Sequence, residues 1–242
     1  MARKTTVGIK DIGKALGVSM MTVSRALRGV EGVSADMRAA VLRCAEAMDY
    51  RPNRNARSLA TANSALIGVS LPTLFSDVFP EILDGMRSTF NHAGFDTVIE
   101  TTDYDQAREA AWAERMLDWN AAGVVLSGVD HAPELRMRLR ESRIPTLEIW
   151  DVTDDPIDMC VGVDHVAAGR ALGDHLVACG YRRPAFVGVP ERRDRRADKR
   201  LTGLTEAFAL AGVAEVIVER VDRRAAFEAG SLGTERLLRR SA

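Results

Sequence analysis

From Ala62 onward the chain alternates short apolar runs with stretches of helical periodicity, and few folds accept that pattern. Strand-like runs at 66–71, 96–101, 123–127, 145–149, 160–163, 184–189 and 215–219 alternate with helical stretches at 79–93, 105–119, 132–141, 165–179, 199–211 and 224–239. Parallel neighbours need a crossover of a dozen or more residues, which a helix supplies. The pattern predicts a doubly wound parallel α/β core whose ligands sit beyond the carboxyl ends of the strands.

The first 62 residues follow a different rule. Apolar positions recur at helical spacing, Ile9, Ile12, Ala15 and Leu16, then Val23, Ala26 and Leu27, with Gly17-Val18-Ser19 between the two sets. Gly17 suits a left-handed helix stop, and Ser19 suits the N-cap of a second helix over Met20 to Leu27. A third helix is expected from the cap Ser34 to about Met48. Two short helices around a glycine turn make a helix-turn-helix candidate, whose second helix would lie in the DNA major groove. Charge agrees: residues 1–62 hold eleven Lys or Arg against five acids, so the whole-chain net of -1 leaves about -7 on the rest. A basic head on an acidic body points to a polyanion met by the head alone.

Other chemistries lack carriers. There is no G-x-G-x-x-G after a strand, no P-loop and no H-E-x-x-H. Gly68-Val69-Ser70-Leu71-Pro72 opens like a nucleophile elbow but has Pro where the closing Gly belongs, so Ser70 reads as a strand residue. His92, His131, His165 and His175 are scattered at spacings that suit neither a metal site nor an obvious base, and all four read as structural or exposed. Cys44, Cys160 and Cys179 are an odd number without C-x-x-C spacing, which argues against a disulfide framework and a zinc site. No apolar run approaches the roughly 18 residues of a membrane span, and the N-terminus lacks a secretory signal, so the expected address is the cytoplasm. Catalytic residues, metals and cofactors are all expected to be absent.

The segments IKDIGKALGVSMMTVSRALRG and VSADMRAAVLRCAEAMDYRPNRNARSLA, with GVS-x-x-TVSR-x-L followed by Y-x-PN-x-x-A-x-x-L, closely resemble the head of the lactose-repressor (LacI) family from Ile9 to Ala60. The resemblance implies that Met20, Met21 and Arg25 face base edges, while Ser19, Thr22, Ser24 and Asn53 sit where phosphate contacts are made. Arg25 can pair bidentately with guanine. Many relatives carry hydrogen-bonding side chains where this chain has Met20 and Met21, and methionine offers only apolar contact. The alternative for Met20 is a place in the head's own core. In the family the stretch matching Asn53, Arg54, Ala56, Arg57 and Leu59 becomes helical on DNA and pairs across a dimer. Its leucine, Leu59 here, enters the minor groove, with Arg54 and Arg57 beside phosphates. Two heads in register imply a palindromic operator.

The core resembles the family more loosely, as a periplasmic-sugar-binding-like fold. The strings SLPTLFSDVFPEILDGM, MLDWNAAGVVLSG and IPTLEIWDVTDDPIDMCVGVDHVAAGRALGDHL look most like the branch holding the gluconate-utilisation repressors. A sugar or sugar-acid effector is implied. Phe75, Ser76 and Phe79 after the first strand, Ser127 after the third, and Trp150 and Asp151 after the fourth are the implied contacts. Arg200, in Lys199-Arg200-Leu201-Thr202-Gly203, matches the position where relatives hold a cation against the effector. Six Arg or Lys lie between Glu191 and Arg200, so a solvated loop is the alternative. Aromatic residues after strands also serve as core, and that reading stays open for Phe75, Phe79 and Trp150.

The expected organisation is a helix-turn-helix domain over 1–52, a hinge over 53–62, and effector-binding subdomains over 63–161 and 162–242, the second incomplete. Members of the family run longer, so a truncated product or partial chain is expected, with effector response and dimerisation in doubt. The resulting expectation is a homodimeric regulator, a repressor of carbohydrate or sugar-acid utilisation genes that binds double-stranded DNA and a small effector. The competing reading is a sugar-binding or metabolic α/β protein whose basic head is incidental.

Overall fold

The computed structural model describes residues 7–50, 64–74, 78–190, 194–213, 215–223 and 225–241. The chain divides into two compact units, Met1–Ala62 and Asn63–Ala242. Among the described residues the first holds helices α1 (Ile9–Leu16), α2 (Met20–Arg28) and α3 (Ala35–Ala47). Gly17 closes α1 at φ 67, a backbone region that a side chain would strain. Ser19 caps α2 by accepting from the Thr22 amide, and Ser34 caps α3 by accepting from the Met37 amide. Ile12, Val23, Ala26, Val41 and Ala45 are buried together between the helices.

Among its described residues the second unit holds two parallel sheets. The larger one takes strands β1 (Leu66–Leu71), β2 (Asp96–Thr101), β3 (Gly123–Ser127), β4 (Thr146–Ile149) and β5 (Met159–Val161) in the order β2-β1-β3-β4-β5. Leu66 pairs with Asp96 and Leu71 with Thr101, so β1 and β2 end level. The crossover helices are α4 (Val78–His92), α5 (Gln106–Asp118) and α6 (Pro133–Ser142). Both faces are covered, and β3 displays the strand period of two directly. Val124 and Leu126 pack with Trp112, Met116 and Leu139, while Val125 packs on the other face with Val69, Leu71 and Phe79.

The second sheet pairs β6 (Ala185–Gly188) with β7 (Ile217–Arg220), accompanied by α7 (His165–Ala178), α8 (Arg195–Leu210) and α9 (Ala226–Ser241). Helices α7 and α8 meet backbone to backbone. A Cβ on Gly203 would overlap the Val166 carbonyl, and one on Gly169 would overlap the Arg200 carbonyl. Glycine at these two positions permits the close seam.

The expected strands at 66–71, 96–101 and 123–127 coincide with β1, β2 and β3. The clear departure is α8, expected from 199 and observed from Arg195, because Asp194 caps it by accepting from the Ala197 amide. That shift moves Arg195 and Arg196 from a loop into the first turn of a helix. No helix among the described residues is long and apolar enough to cross a membrane.

Candidate functional site

In the head, the first turn of α2 decides which groups face outward. Ser19 Oγ lies 2.9 Å from Thr22 Oγ1 and accepts from the Thr22 amide at 3.1 Å, so the two hydroxyls face one another. Met20 is 53% and Met21 64% exposed, and Arg25 is exposed one turn beyond Met21. Met20 is thereby placed outside the head's core, against the alternative drawn from the sequence. Ser24 is half-buried, and its carbonyl accepts from Arg28 Nε. Asn53, Arg54, Ala56, Arg57 and Leu59 lie outside the described residues.

In the core, a cavity of about 330 Å³ opens at the carboxyl ends of the strands. Pro72 lines it after β1, Thr102 and Tyr104 after β2, Ser127 and Gly128 at the end of β3, and Asp151 after β4. This is where a doubly wound sheet binds ligands, since β1 and β3 lead their crossovers to opposite faces. Arg195 and Arg196 close the cavity from the first turn of α8. The site is thus built from the carboxyl ends of the five-stranded sheet, the start of α5 and the first turn of α8.

Arg196 is the best-held of these groups. Its side chain is 8% exposed, donates to Ser127 Oγ at 3.2 Å and lies 3.6 Å from Asp194. Its guanidinium stands 5.5 Å from the centre of the Phe79 ring and 5.9 Å from that of Tyr104. Aromatic faces and fixed acceptors of this kind hold a cation in one orientation. Burial raises the Tyr104 hydroxyl pKa, with the nearby Arg196 charge pulling the other way. Behind Arg196, Lys199 reaches Asp151 at 2.6 Å and Asp130 at 3.9 Å, and Arg195 also lies 3.9 Å from Asp130.

The floor of the cavity carries a buried charge cluster. His131 Nδ1 lies 2.7 Å from Glu109 Oε2, and its Nε2 lies 3.0 Å from the Gly128 carbonyl and 3.5 Å from Glu148. A carboxylate and a carbonyl only accept, so the ring meets acceptors at both nitrogens, as an imidazolium does. Burial pushes its pKa down, but the hydrogen bond to Glu109 and the charges of Glu109 and Glu148 outweigh burial and hold it above the ordinary value. Glu148, fully buried, is satisfied by Arg136 at 3.2 Å and by the Ile157 amide at 2.6 Å.

The sequence-predicted effector residues fall in three places. Ser127 and Asp151 line the cavity. Phe79 and Trp150 pack on each other at 5.9 Å beneath it; Phe79 belongs to the sheet core, and Trp150 holds φ 75, a strained conformation for a non-glycine residue. His165 Nε2 donates to the Trp150 carbonyl at 2.8 Å and helps keep it there. Arg200 lies one turn past Arg196, donates to His165 Nδ1 at 3.0 Å and stands 3.6 Å from Asp194, outside the cavity lining. Phe75 and Ser76 are outside the described residues. The sequence reading missed Arg196, Tyr104, Glu109 and Asp130 as cavity residues. The one signal for Arg196 was Asp194 as a helix cap, masked by the surrounding arginines.

Among the described residues no cluster of His, Cys, Asp or Glu is arranged to hold a metal ion. The three cysteines are unpaired by disulfides.

Residues 8–53 match the family described as "Bacterial regulatory proteins, lacI family", and residues 64–229 match "Periplasmic binding proteins and sugar binding domain of LacI family". The chain is 33% identical over 222 residues to the HTH-type transcriptional regulator GntR of Escherichia coli (strain K12), covering 91% of this chain and 66% of that one. It therefore spans just under two thirds of that relative's length. A crystal structure of a LacI-family transcriptional regulator from Silicibacter pomeroyi superposes with TM-score 0.85 at 36% identity, covering 97% of this chain and 71% of that chain. The lac repressor dimer bound to operator and the anti-inducer ONPF shares the fold, with TM-score 0.79 at 22% identity, covering 98% of this chain and 71% of that chain. With both of its units matched, the chain belongs to the LacI family of bacterial regulatory proteins.

Proposed function

We propose that this chain is a transcriptional regulator, a repressor that reads a palindromic operator as a homodimer in the cytoplasm and answers to a sugar or sugar acid. The observation that carries the reading is the outward face of α2, where Met20, Met21 and Arg25 stand exposed on a unit of net charge about +6. The domain limits proposed from the sequence, 1–52, 53–62, 63–161 and 162–242, fit this division of labour. Ser19, Thr22, Ser24 and Asn53 are proposed for phosphate contact, with Arg54, Ala56, Arg57 and Leu59 as the hinge.

The effector reading is supported by the mixed lining of the cavity. Arg195 and Arg196 provide cations for a carboxylate, while Asp105, Asp130 and Asp151 provide acceptors for hydroxyls. Enzymatic chemistry is not proposed, because the buried ionisable groups here are paired with one another and with backbone.

The test is selection of bound duplexes from a random DNA library by the purified chain, repeated at low and moderate salt. A recovered palindrome, bound at about 10⁻⁸ M or tighter and losing specificity in Arg25→Ala, supports the reading. Recovery of unrelated sequences, or binding that vanishes at moderate salt, removes it and leaves the incidental-head alternative standing.

A further inference from the structure

We propose that Met20 and Met21 form an apolar reading head for the C5-methyl groups of thymines in the operator, an inference that rests on the DNA-reading function proposed above. These two adjacent side chains are more than half exposed at the start of α2, while Ile9, Ile12 and Leu16 of α1 and Val23, Ala26 and Leu27 of α2 go to the core of the head or to its margin. The hydroxyls beside them face each other, Ser19 accepting from the Thr22 amide, and the one hydroxyl hydrogen not used between them is left for the phosphate contact proposed above. What Met20 and Met21 themselves present outward is two thioethers with no hydrogen-bond donor.

The major groove offers one apolar feature to such a surface. Guanine, cytosine and adenine present donors and acceptors there, and thymine adds a methyl group. Methionine is flexible and polarisable, so two in succession can cover neighbouring methyls without an exacting fit. Arg25 follows Met21 by four residues on the same face, which is about 6 Å of helix rise and close to two base steps. The methyls are accordingly placed within about two base pairs of the guanine read by Arg25. The basic charge of the head supplies the attraction that an apolar contact lacks, and the methionines supply discrimination.

The experiment takes the duplex selected by the full chain and replaces its thymines one at a time by deoxyuridine, which removes the methyl and leaves the Watson–Crick edge unchanged. Affinity is measured for the wild-type chain and for the Met20→Ala, Met21→Ala double variant. The expected result is a loss of about fourfold per methyl at one or two thymines next to the Arg25 guanine, as burial of one methyl group implies. That loss disappears in the double variant. A selected duplex that tolerates every uracil, or a uracil penalty that persists in the double variant, overturns this inference and leaves the regulator reading intact. Failure to select any sequence overturns both.

Discussion

Lys199 Nζ lies 2.6 Å from Asp151 Oδ2, an ion pair that ties α8 to the end of β4 across the cavity. The two partners are unequally hidden, with side-chain exposures of 29% and 2%. Removing the lysine strands a buried carboxylate, whereas removing the carboxylate lets Lys199 turn to water or to Asp130. Lys199→Met is therefore expected to cost about 2–3 kcal/mol and Asp151→Asn about 1 kcal/mol. Urea unfolding of the two variants measures the difference. Equal losses would mean that the pair is not desolvated.

Much of this core could be read from the sequence, for physical reasons that differ by element. Strands β1 and β3 are apolar runs largely buried on both faces, so composition alone marks their ends, while β2 is an edge strand of half-buried and exposed positions marked by its β-branched Thr97, Val98, Ile99 and Thr101. The head was legible because Gly17 and Ser19 are local stop and start signals that act within one turn. The start of α8 was not, since Arg192, Arg193, Arg195 and Arg196 carry no apolar period and hide the cap Asp194. Nor was the cluster of Glu109, His131 and Glu148. Each of these comes from a different element, and they become neighbours only because His131, in the loop after β3, bridges Glu109 of α5 and Glu148 of β4.

The His131 site makes stability depend on pH with a definite sign. Its pKa is raised in the folded chain, because Glu109 and Glu148 outweigh burial. Such a group stabilises most below its unfolded pKa of about 6.5, and the contribution is lost as pH rises through the higher folded value. The stability gap between the wild type and His131→Gln is expected to narrow on going from about pH 6 to about pH 9. Denaturant titrations at several pH values give the gap. A gap that widens with pH would show that the neutral ring is the stabilising form.

The seam between α7 and α8 predicts a backbone effect. A methyl on Gly203 meets the Val166 carbonyl and the Arg170 amide, which are parts of a helix backbone and cannot rotate away. Gly203→Ala should cost about 3 kcal/mol, at the upper end for overpacking, even though alanine favours helix. Gly230, in α9, meets nothing within 4 Å, so Gly230→Ala serves as the control and should be neutral or stabilising. Thermal melts that fall equally for both variants would deny the close contact.

Arg196 and Arg200 stand one turn apart on α8, and each lies 3.6 Å from Asp194, so both guanidiniums flank the carboxylate that caps the helix. Their surroundings differ. Arg196 is packed against Phe79 and Tyr104 and bonded to Ser127, whereas the Arg200 side chain is 40% exposed. Of the two, only Arg196 lines the cavity. Arg200→Ala is expected to leave the response to a sugar acid within about twofold, with little change in unfolding. Arg196→Ala is expected to weaken the response and also to cost about 2 kcal/mol of stability through the stranded aromatic and hydroxyl contacts. Release of the selected duplex, titrated with gluconate-class acids, reads the first effect, and denaturant unfolding of the same samples reads the second. An Arg200→Ala chain whose response falls about tenfold or more would extend the cation role one turn beyond Arg195 and Arg196, which line the cavity.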